Sequence, residues 1–379
     1  MKFNWKPRKC PVCESLDSNV LGIFNYSLFD DLKIPGNKML LICKNCGMLY
    51  DKVKFLEPDL DSYYFHNAHY AFSNEGGTGG VSQDNNERYE RILSVLLPSK
   101  RGIILDYGCG QGGFVNFCVK KGLNCIGIEP SKYSRLSGIS LGLSIYKSLE
   151  EYLLDKISYH YKISSIVLSH TIEHMLNPLS LLKKLMTIAP DALFYIEVPD
   201  AANYINPNFV KWNEFFFEHL CHFRMNDLQN LANAAGMKTI KIAKIPFSRK
   251  QSNIQCIFFV GEADNLKKNI IPSNKICSLP RMPEFNFIKR YNALALWGVS
   301  QYAMLLLGSY YQFRKKVRYL FDSSPAKIGR RINGIKIASS QKISSLPKEI
   351  PLLIPKSAFT NEMLNLLPQI GFYGDKFII

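Results

Sequence analysis

A short segment around residue 106 constrains the fold of this chain more than any other part of its sequence. The apolar run 103–105 ends at Asp106 and is followed by three closely spaced glycines, Gly108, Gly110 and Gly113. Glycines at this spacing let the backbone turn tightly and approach a ligand just before a helix begins. A second apolar run ends at Glu129, where a carboxylate can accept hydrogen bonds from a ribose diol. The segment therefore predicts a strand, turn, helix and strand that together bind a nucleoside-type cofactor.

The spacing of the glycines fits a dinucleotide as well as S-adenosylmethionine, and Asp106 favours the second. A carboxylate just before the first glycine would repel a pyrophosphate, but it suits a sulfonium amino acid. We therefore expect Asp106 to face the methionine end of S-adenosylmethionine and Glu129 to hold its ribose. A nicotinamide cofactor is the alternative ligand, and a glycine turn that binds nothing is the purely structural interpretation.

The centre of the chain has the pattern of a parallel sheet covered by helices, because apolar runs alternate with amphipathic stretches between residues 102 and 260. The runs predict six strands, at 102–106, 124–129, 163–168, 192–198, 238–244 and 253–260. Ser169 and His170 follow the third strand. Ligands of open α/β sheets bind beyond the carboxyl ends of the strands. We therefore expect both residues to line the methionine side of the cofactor.

Two Cys-x-x-Cys pairs near the N-terminus predict a zinc site, with the four ligands Cys10, Cys13, Cys43 and Cys46. Four thiolates close a tetrahedral shell and leave no position for substrate, so the ion is expected to act in folding rather than in chemistry. Apolar runs at 20–24 and 39–42 predict strands of a zinc ribbon over residues 1–58. A dithiol redox function is the alternative, which the presence of two pairs at ribbon spacing disfavours.

The pair Glu218-His219 stands among aromatic residues after the fourth predicted central strand. Burial in such a place can bring the pKa of an imidazole to the value that a general base requires. We therefore consider His219 a candidate base and Glu218 the group that orients it. A packed core histidine beside a capping glutamate is the alternative.

Composition narrows the possible partners of the protein. Lys and Arg number 47 against 31 Asp and Glu, a net charge of +16 that favours an anionic ligand. RNA, a nucleotide-linked sugar and an acidic surface all fit this charge, and because the excess is spread along the chain it is a weak argument for nucleic acid. No secretory signal is recognisable, and the longest apolar stretch, 293–308, is shorter than the ~20 residues that span a bilayer. We expect a cytoplasmic protein without a membrane span.

The last third of the chain predicts a linker over 263–290 and a second Rossmann-like domain over 291–379. A strand and turn ending at Gly298 lead into a helix at Gln301, and a further strand ends at Asp322. The glycine fingerprint is degraded, because Ser300 and Ala303 stand where the second and third glycines would be. A structural or substrate-gripping function is therefore expected for this domain. The region between the ribbon and the linker, 59–262, is expected to form the cofactor-binding domain, with a helical lid segment at its N-terminal end.

The segments described so far resemble a known family. Leu-Asp-Tyr-Gly-Cys-Gly-Gln-Gly-Gly followed by Gly-Ile-Glu-Pro-Ser resembles motifs I and II of class I S-adenosylmethionine-dependent methyltransferases. The cysteine pairs, Glu218-His219 and the stretch 322–329 extend this resemblance to the zinc-containing nucleotide-sugar C-methyltransferases. It implies that a keto sugar on a nucleotide diphosphate loses a proton beside its carbonyl and that the enolate accepts the methyl group. His219 would then be the base, Glu218 its partner, and Tyr64 a residue that stabilises the enolate.

The chain departs from that family at two places. Phe216-Phe217 stands where Tyr-His is usual, and 247–252 replaces a Gly-Gly-Ser turn. An O-methyltransferase acting on a sugar or polysaccharide precursor is therefore the nearest alternative. An RNA methyltransferase ranks lower, because the chain has neither an Asn/Asp-Pro-Pro-Tyr/Phe loop nor a Pro-Cys nucleophile. A non-catalytic scaffold is disfavoured by the intact set from Asp106 to Glu129.

Overall fold

The computed structural model describes residues 5, 7–66, 80, 83–96, 102–155, 162–202, 215–246, 255–264, 270–272, 285–357 and 360–379. The described chain is an α/β structure, as the sequence predicts. It contains three sheets. Predictions that concern residues 67–79 and 247–252 lie outside the described residues. None of the helices within the described ranges combines the length and the apolar character that crossing a membrane requires.

The central sheet has seven strands and is the largest of the three. In chain order they are β4 (Ile103–Tyr107), β5 (Cys125–Ile128), β6 (Ile145–Tyr146), β7 (Ile163–Ser169), β8 (Leu193–Pro199), β10 (Met237–Pro246) and β11 (Gln255–Ala263). Their order across the sheet is β10-β11-β8-β7-β4-β5-β6, and β11 alone runs antiparallel to its neighbours. The six predicted strands are all present, and β6 is an additional one. The antiparallel strand between β8 and β10 separates this sheet from the all-parallel dinucleotide-binding order.

Helices cover both faces of the central sheet. They are α1 (Glu57–His66), α2 (Gln83–Leu96), α3 (Gly113–Lys120), α4 (Lys132–Ser140), α5 (Leu149–Leu154), α6 (Pro178–Ile188) and α7 (Met225–Ala235). Alternate residues of a strand point to opposite faces, so Leu105 and Ile104 enter different apolar clusters. Burial on both faces explains why the strands are continuous apolar runs in the sequence.

The N-terminal sheet is antiparallel and contains the two predicted strands, β1 (Ser18–Asn25) and β2 (Asn37–Cys43). It also contains β3 (Leu49–Val53) and β9 (Cys221–His222), in the order β1-β2-β3-β9. Because β9 lies almost 170 residues beyond β3 in the chain, the segment after Glu218-His219 completes this sheet. The N-terminal sheet is thereby joined to the central unit through the segment that carries the candidate base.

The C-terminal sheet has the order β14-β15-β13-β12-β16-β17. Its strands are β12 (Leu294–Trp297), β13 (Val317–Asp322), β14 (Arg331–Ile332), β15 (Ile335–Ser339), β16 (Leu352–Ile354) and β17 (Lys376–Ile378), and its helices are α8 (Gln301–Ser309), α9 (Tyr311–Lys316) and α10 (Thr360–Leu366). Ser300 caps α8 by accepting a hydrogen bond from the amide of Ala303. The position that departs from the glycine fingerprint therefore serves as a helix cap. The boundaries proposed between the domains stay predictions.

Candidate active site

The glycine turn after β4 has the backbone conformation that only glycine adopts easily. Gly108, Gly110 and Gly112 have φ of +81°, +57° and +79°. The third left-handed position is Gly112 rather than Gly113, which instead opens α3. A side chain at Gly108 would also meet Thr171, because a Cβ there would lie 2.5 Å from the threonine Oγ1. The glycine turn therefore packs closely against the residues that follow β7.

Glu129 lies at the end of β5, and its carboxylate is bound by this turn. One oxygen accepts from the amide of Gly110 at 2.8 Å and the other from the amide of Ser131 at 2.8 Å. Burial raises its pKa to about 7, against the effect of these two hydrogen bonds. Each carboxylate oxygen has a second lone pair, so Glu129 can still accept from a diol.

Asp106 and Ser169 lie at the carboxyl ends of neighbouring strands and line one small cavity with Gly108 and Arg88. Burial raises the pKa of Asp106 to about 7, while the charge of Arg88 opposes the shift. The Oγ of Ser169 is buried and has no hydrogen-bond partner within the described residues. The cavity has a volume of about 10 Å³, roughly the space of one water. A buried polar group without a hydrogen-bond partner within the described residues, beside a buried carboxyl at such a turn, fits a polar ligand.

His170 is placed away from this cavity lining, between two carboxylates. Its Nδ1 lies 3.4 Å from Glu173, and its Nε2 lies 3.3 Å from Glu197 and 3.9 Å from the Sγ of Cys256. Although burial lowers its pKa, the hydrogen bonds to Cys256 and the two carboxylates raise it well above the usual value. His170 therefore lies between Glu173 and Glu197, and its backbone has a left-handed φ of +53°.

Glu218, His219 and Tyr64 lie close together around His174. The hydroxyl of Tyr63 donates to Glu218 Oε1 at 2.6 Å. His219 packs edge to face on His174, with 4.9 Å between ring centroids. Within the described residues, the ring nitrogens of His219 have no hydrogen-bond partner. Burial, and then the charges of His174 and other nearby cations, lowers its pKa well below the usual value.

His174 connects Tyr64 to this cluster. Its Nδ1 lies 3.1 Å from the hydroxyl of Tyr64 and 3.1 Å from the carbonyl oxygen of Glu218. Because a carbonyl only accepts, we assign the imidazole proton to Nδ1. The hydroxyl of Tyr64 then accepts from the same N–H and keeps its own proton for donation.

The glycine turn and His219 are joined through the 3₁₀ turn Ile172–His174. Thr171, which precedes this turn, donates its hydroxyl to the carbonyl oxygen of Tyr107 at 3.0 Å. At its other end, the carbonyl oxygen of Glu173 accepts from the amide of Leu220 at 2.7 Å. The turn between the predicted cofactor loop and the predicted base is therefore continuous and short.

The four N-terminal cysteines form a compact group near the loops that begin β1 and end β2. The Sγ atoms of Cys10 and Cys46 are 3.6 Å apart, and those of Cys13 and Cys43 are 3.5 Å apart. All four Sγ atoms lie within 4.8 Å of one another. A tetrahedral zinc ion with Zn–S of ~2.3 Å has sulfurs ~3.8 Å apart, so the donor set and its spacing fit that ion. These distances exclude disulfide bonds, whose sulfurs are ~2.05 Å apart.

The sheet order, the glycine turn and the acidic residues at the strand ends make this edge of the central sheet a candidate site for a nucleoside-type cofactor. Residues 82–242 match the family model described as "Methyltransferase domain". These residues therefore form a methyltransferase domain. The match covers less than half of the chain; it includes only β9 of the N-terminal sheet and no strand of the C-terminal sheet.

Solved structures with a similar fold include the plantazolicin methyltransferase BpumL in complex with SAH, with 14% identity, 54% of this chain and 94% of that chain covered, and a TM-score of 0.39. CcbJ methyltransferase from Streptomyces caelestis has 14% identity, covers 54% of this chain and 99% of that chain, and has a TM-score of 0.41. A SAM-dependent methyltransferase from Archaeoglobus fulgidus has 18% identity and a TM-score of 0.34, and the match covers 47% of this chain and 94% of that chain. No curated protein matches the sequence significantly.

Several residues of the site are not evident from the sequence. His174 and Tyr63 contact the candidate base and its neighbour, and Arg88 lies beside Asp106. His174 forms a Glu-His pair with Glu173 after the third central strand, which is a signal like that of Glu218-His219. Arg88 carries no such signal, because an arginine on an amphipathic helix usually faces solvent.

Proposed function

We propose that this methyltransferase transfers a methyl group to a carbon beside the carbonyl of a nucleotide-linked keto sugar. The observation that carries the proposal is the place of His219, which is buried, packs on His174 and has no hydrogen-bond partner for its ring nitrogens in the described chain. Burial also lowers its pKa, which favours the neutral imidazole. A neutral imidazole with a free nitrogen can accept a proton, as abstraction from carbon requires. The net charge of +16 suits the diphosphate of such a substrate.

Tyr64 is proposed to stabilise the enolate that forms when the proton leaves. The N–H of His174 points at the tyrosine oxygen, so the hydroxyl proton is available to a developing oxyanion. Glu218 is bound by Tyr63, which supports a function in holding the segment that carries His219.

Asp106, Ser169, Gly108, Gly110 and Glu129 are proposed to bind S-adenosylmethionine, with Glu129 accepting from the ribose and Asp106 facing the sulfonium end. When bound, S-adenosylmethionine supplies the methyl group. His170 is proposed to act on the cofactor side by fixing Glu173 and Glu197. The backbone amide of Gly110 in the turn donates to Glu129, which fixes the turn beside the proposed ribose site.

Cys10, Cys13, Cys43 and Cys46 are proposed to hold one structural zinc ion. Three of the four residues are buried, and four thiolates leave no open position on the ion. The ion would therefore stabilise the loops of the N-terminal sheet and take no part in methyl transfer.

The proposal is tested by incubating the protein in D₂O with a panel of nucleoside-diphosphate-linked keto sugars and following deuterium uptake beside the carbonyl. Exchange without S-adenosylmethionine is expected for the true substrate, because the proton leaves before the methyl group arrives. His219→Asn should slow exchange and methylation ~100-fold or more and leave the affinity for S-adenosylhomocysteine unchanged. Tyr64→Phe should slow both while retaining cofactor binding.

Methylation without any exchange would contradict carbanion chemistry and indicate an O-methyltransferase. Phe217 favours this second candidate, because it stands where the C-methyltransferases usually have histidine and is fully buried among aromatic rings. Near-normal turnover of His219→Asn would remove His219 as the base in either reaction.

A further inference from the structure

The segment 215–222, which carries Glu218 and His219, is held mainly by groups outside the central sheet. The hydroxyl of Tyr26 donates to the carbonyl oxygen of Phe215, and the amide of Phe217 donates to Gln301 Oε1 at 3.2 Å. The amide of Asp51 donates to the carbonyl oxygen of Leu220 at 2.9 Å. The backbone around the candidate base therefore depends on contacts from the N-terminal sheet and from α8.

Lys38 of β2 makes the most specific of these contacts. Its Nζ donates to the carbonyl oxygens of Phe216 at 2.7 Å and His219 at 3.0 Å, and to Asp51 Oδ2 at 2.7 Å. An ammonium group has three donors, and here each has one acceptor. The two carbonyls stand on either side of Glu218, so one cation fixes both ends of the turn that presents the candidate base.

The charge of Lys38 is held in a site without solvent. The side chains of Lys38 and Asp51 are both 0% exposed, and His222 Nε2 lies 3.0 Å from the same carboxylate oxygen. Burying an ion pair costs several kcal/mol unless its remaining donors are also satisfied. A methionine or leucine would fill the same space without that cost. Stability alone therefore gives a weak reason for a lysine here, and orientation of the two carbonyls gives a stronger one.

Arg8 makes a parallel connection from the cysteine group. It lies two residues before Cys10, and its guanidinium donates to the carbonyl oxygens of Leu220 at 3.1 Å and Leu176 at 2.7 Å. These carbonyls belong to the two loops that present His219 and His174. Arg8 and Lys38 therefore both contact the loop that presents His219.

We propose that Lys38 is a positioning residue of the methyltransferase, because its ammonium fixes the backbone on both sides of Glu218 and sets the orientation of His219 toward His174. This inference rests on the proposed function for the step that His219 performs. It assigns the N-terminal sheet a direct effect on the reaction, in addition to its effect on folding. Lys38 itself does not touch the reacting atoms.

The test compares Lys38→Met with the double variant Lys38→Met/Asp51→Asn in the full-length protein. The single variant removes the two donors to the carbonyls and leaves Asp51 with one cationic partner fewer, so it should lower the denaturation midpoint. The double variant also removes the buried charge and should recover much of the midpoint. It still lacks both donors, so a positioning function and a stability function give different results.

The orientation of His219 is read from ¹H–¹³C spectra of histidine-labelled protein, which has seven histidines. His219→Asn and His174→Gln assign the two signals. We expect both variants of Lys38 to shift these signals and the titration of His219, and to lower kcat at least 10-fold with S-adenosylhomocysteine affinity within about 2-fold. Recovery of wild-type signals and kcat in the double variant would overturn the inference, as would unchanged signals in the single one.

Lys316→Met is the matched control. Lys316 also donates to backbone carbonyls, those of Ile288 and Tyr291 at 2.8 Å each, in a place remote from His219. It should lower the midpoint without moving the His219 signal. Failure of the proposed function would show as absent deuterium exchange by the wild-type protein, or as normal turnover by the His219→Asn variant. Failure of the positioning inference would show only in the variants of Lys38.

Discussion

Replacing Gly108 by alanine tests whether the glycine turn must pack on the residues after β7. The backbone at this position has φ of +81°, where an L residue costs about 1–2 kcal/mol. The new Cβ would also lie 2.5 Å from the Oγ1 and 2.8 Å from the Cγ2 of Thr171. Moving a packed side chain adds about 1–3 kcal/mol. We therefore expect Gly108→Ala to lower the free energy of unfolding by about 2–5 kcal/mol.

Gly122 provides the control for backbone strain. Its φ is +75°, and a Cβ built there has no atom within 4 Å. Gly122→Ala should therefore cost only the strain, about 1–2 kcal/mol, and urea denaturation of the two variants measures the difference. Calorimetry with S-adenosylhomocysteine should show at least 10-fold weaker binding for Gly108→Ala and unchanged binding for Gly122→Ala.

Thr171→Ala in the Gly108→Ala background should restore part of both losses. It removes the two nearest atoms and leaves the Cβ of residue 171 at 3.2 Å, a distance that small shifts relieve. Recovery will be incomplete, because the hydroxyl of Thr171 also donates to the carbonyl oxygen of Tyr107. If Gly108→Ala were no less stable than Gly122→Ala and bound the ligand equally well, the turn would not be the cofactor site that its contacts indicate.

Two further predictions concern the metal and the buried carboxyls. Cys43→Ser should reduce the zinc content of the purified protein well below the one ion per chain expected for wild type. Cys118→Ser, which changes a buried thiol outside the cysteine group, should leave the zinc content unchanged. Equal zinc contents in the two variants would contradict the proposed zinc site. Asp106 and Glu129 have pKa values of about 7 in the folded protein, above their ordinary 3.8 and 4.5. The folded state keeps protons that the unfolded state has lost, so the free energy of unfolding contributed by these groups falls as pH rises from about 4 to about 7. Urea denaturation at pH 5 and pH 8 should show a smaller loss for Glu129→Gln than for wild type, and an equal loss would show that Glu129 is not the buried acid described.

The central sheet could be predicted from the sequence because its strands are buried on both faces. Burial of this kind requires continuous apolar runs, and all six runs between residues 102 and 260 became strands. The glycine turn was also predictable, since its left-handed positions restrict the residue type locally. The third left-handed position could not be assigned from the sequence, because both Gly112 and Gly113 are glycines and only the start of α3 distinguishes their conformations.

β3 and β9 were not predicted, and the physical reason is their composition. Leu49–Val53 contains Asp51 and Lys52 in the middle of five residues, a pattern typical of a polar loop. β9 has only two residues and exists because β3 supplies its partner. Strands of this kind are specified by tertiary pairing and not by their own propensity.

The missing strand also explains why Lys38 could not be identified as part of the site. Lysine is almost never fully buried unless it is paired, so a lysine just before the predicted strand 39–42 indicates a solvent-facing position. In the observed register Lys38 opposes Val53 and Leu40 opposes Asp51. Lys38 and Asp51 are therefore diagonal neighbours on one face, where long side chains can meet. Once β3 is known, the buried pair of Lys38 and Asp51 follows from the register. The pairing of β9 with β3 then brings the Glu218-His219 turn to the same face. The placement of the candidate base is thus determined by the pairing of a polar strand with a distant part of the chain, which no local pattern encodes.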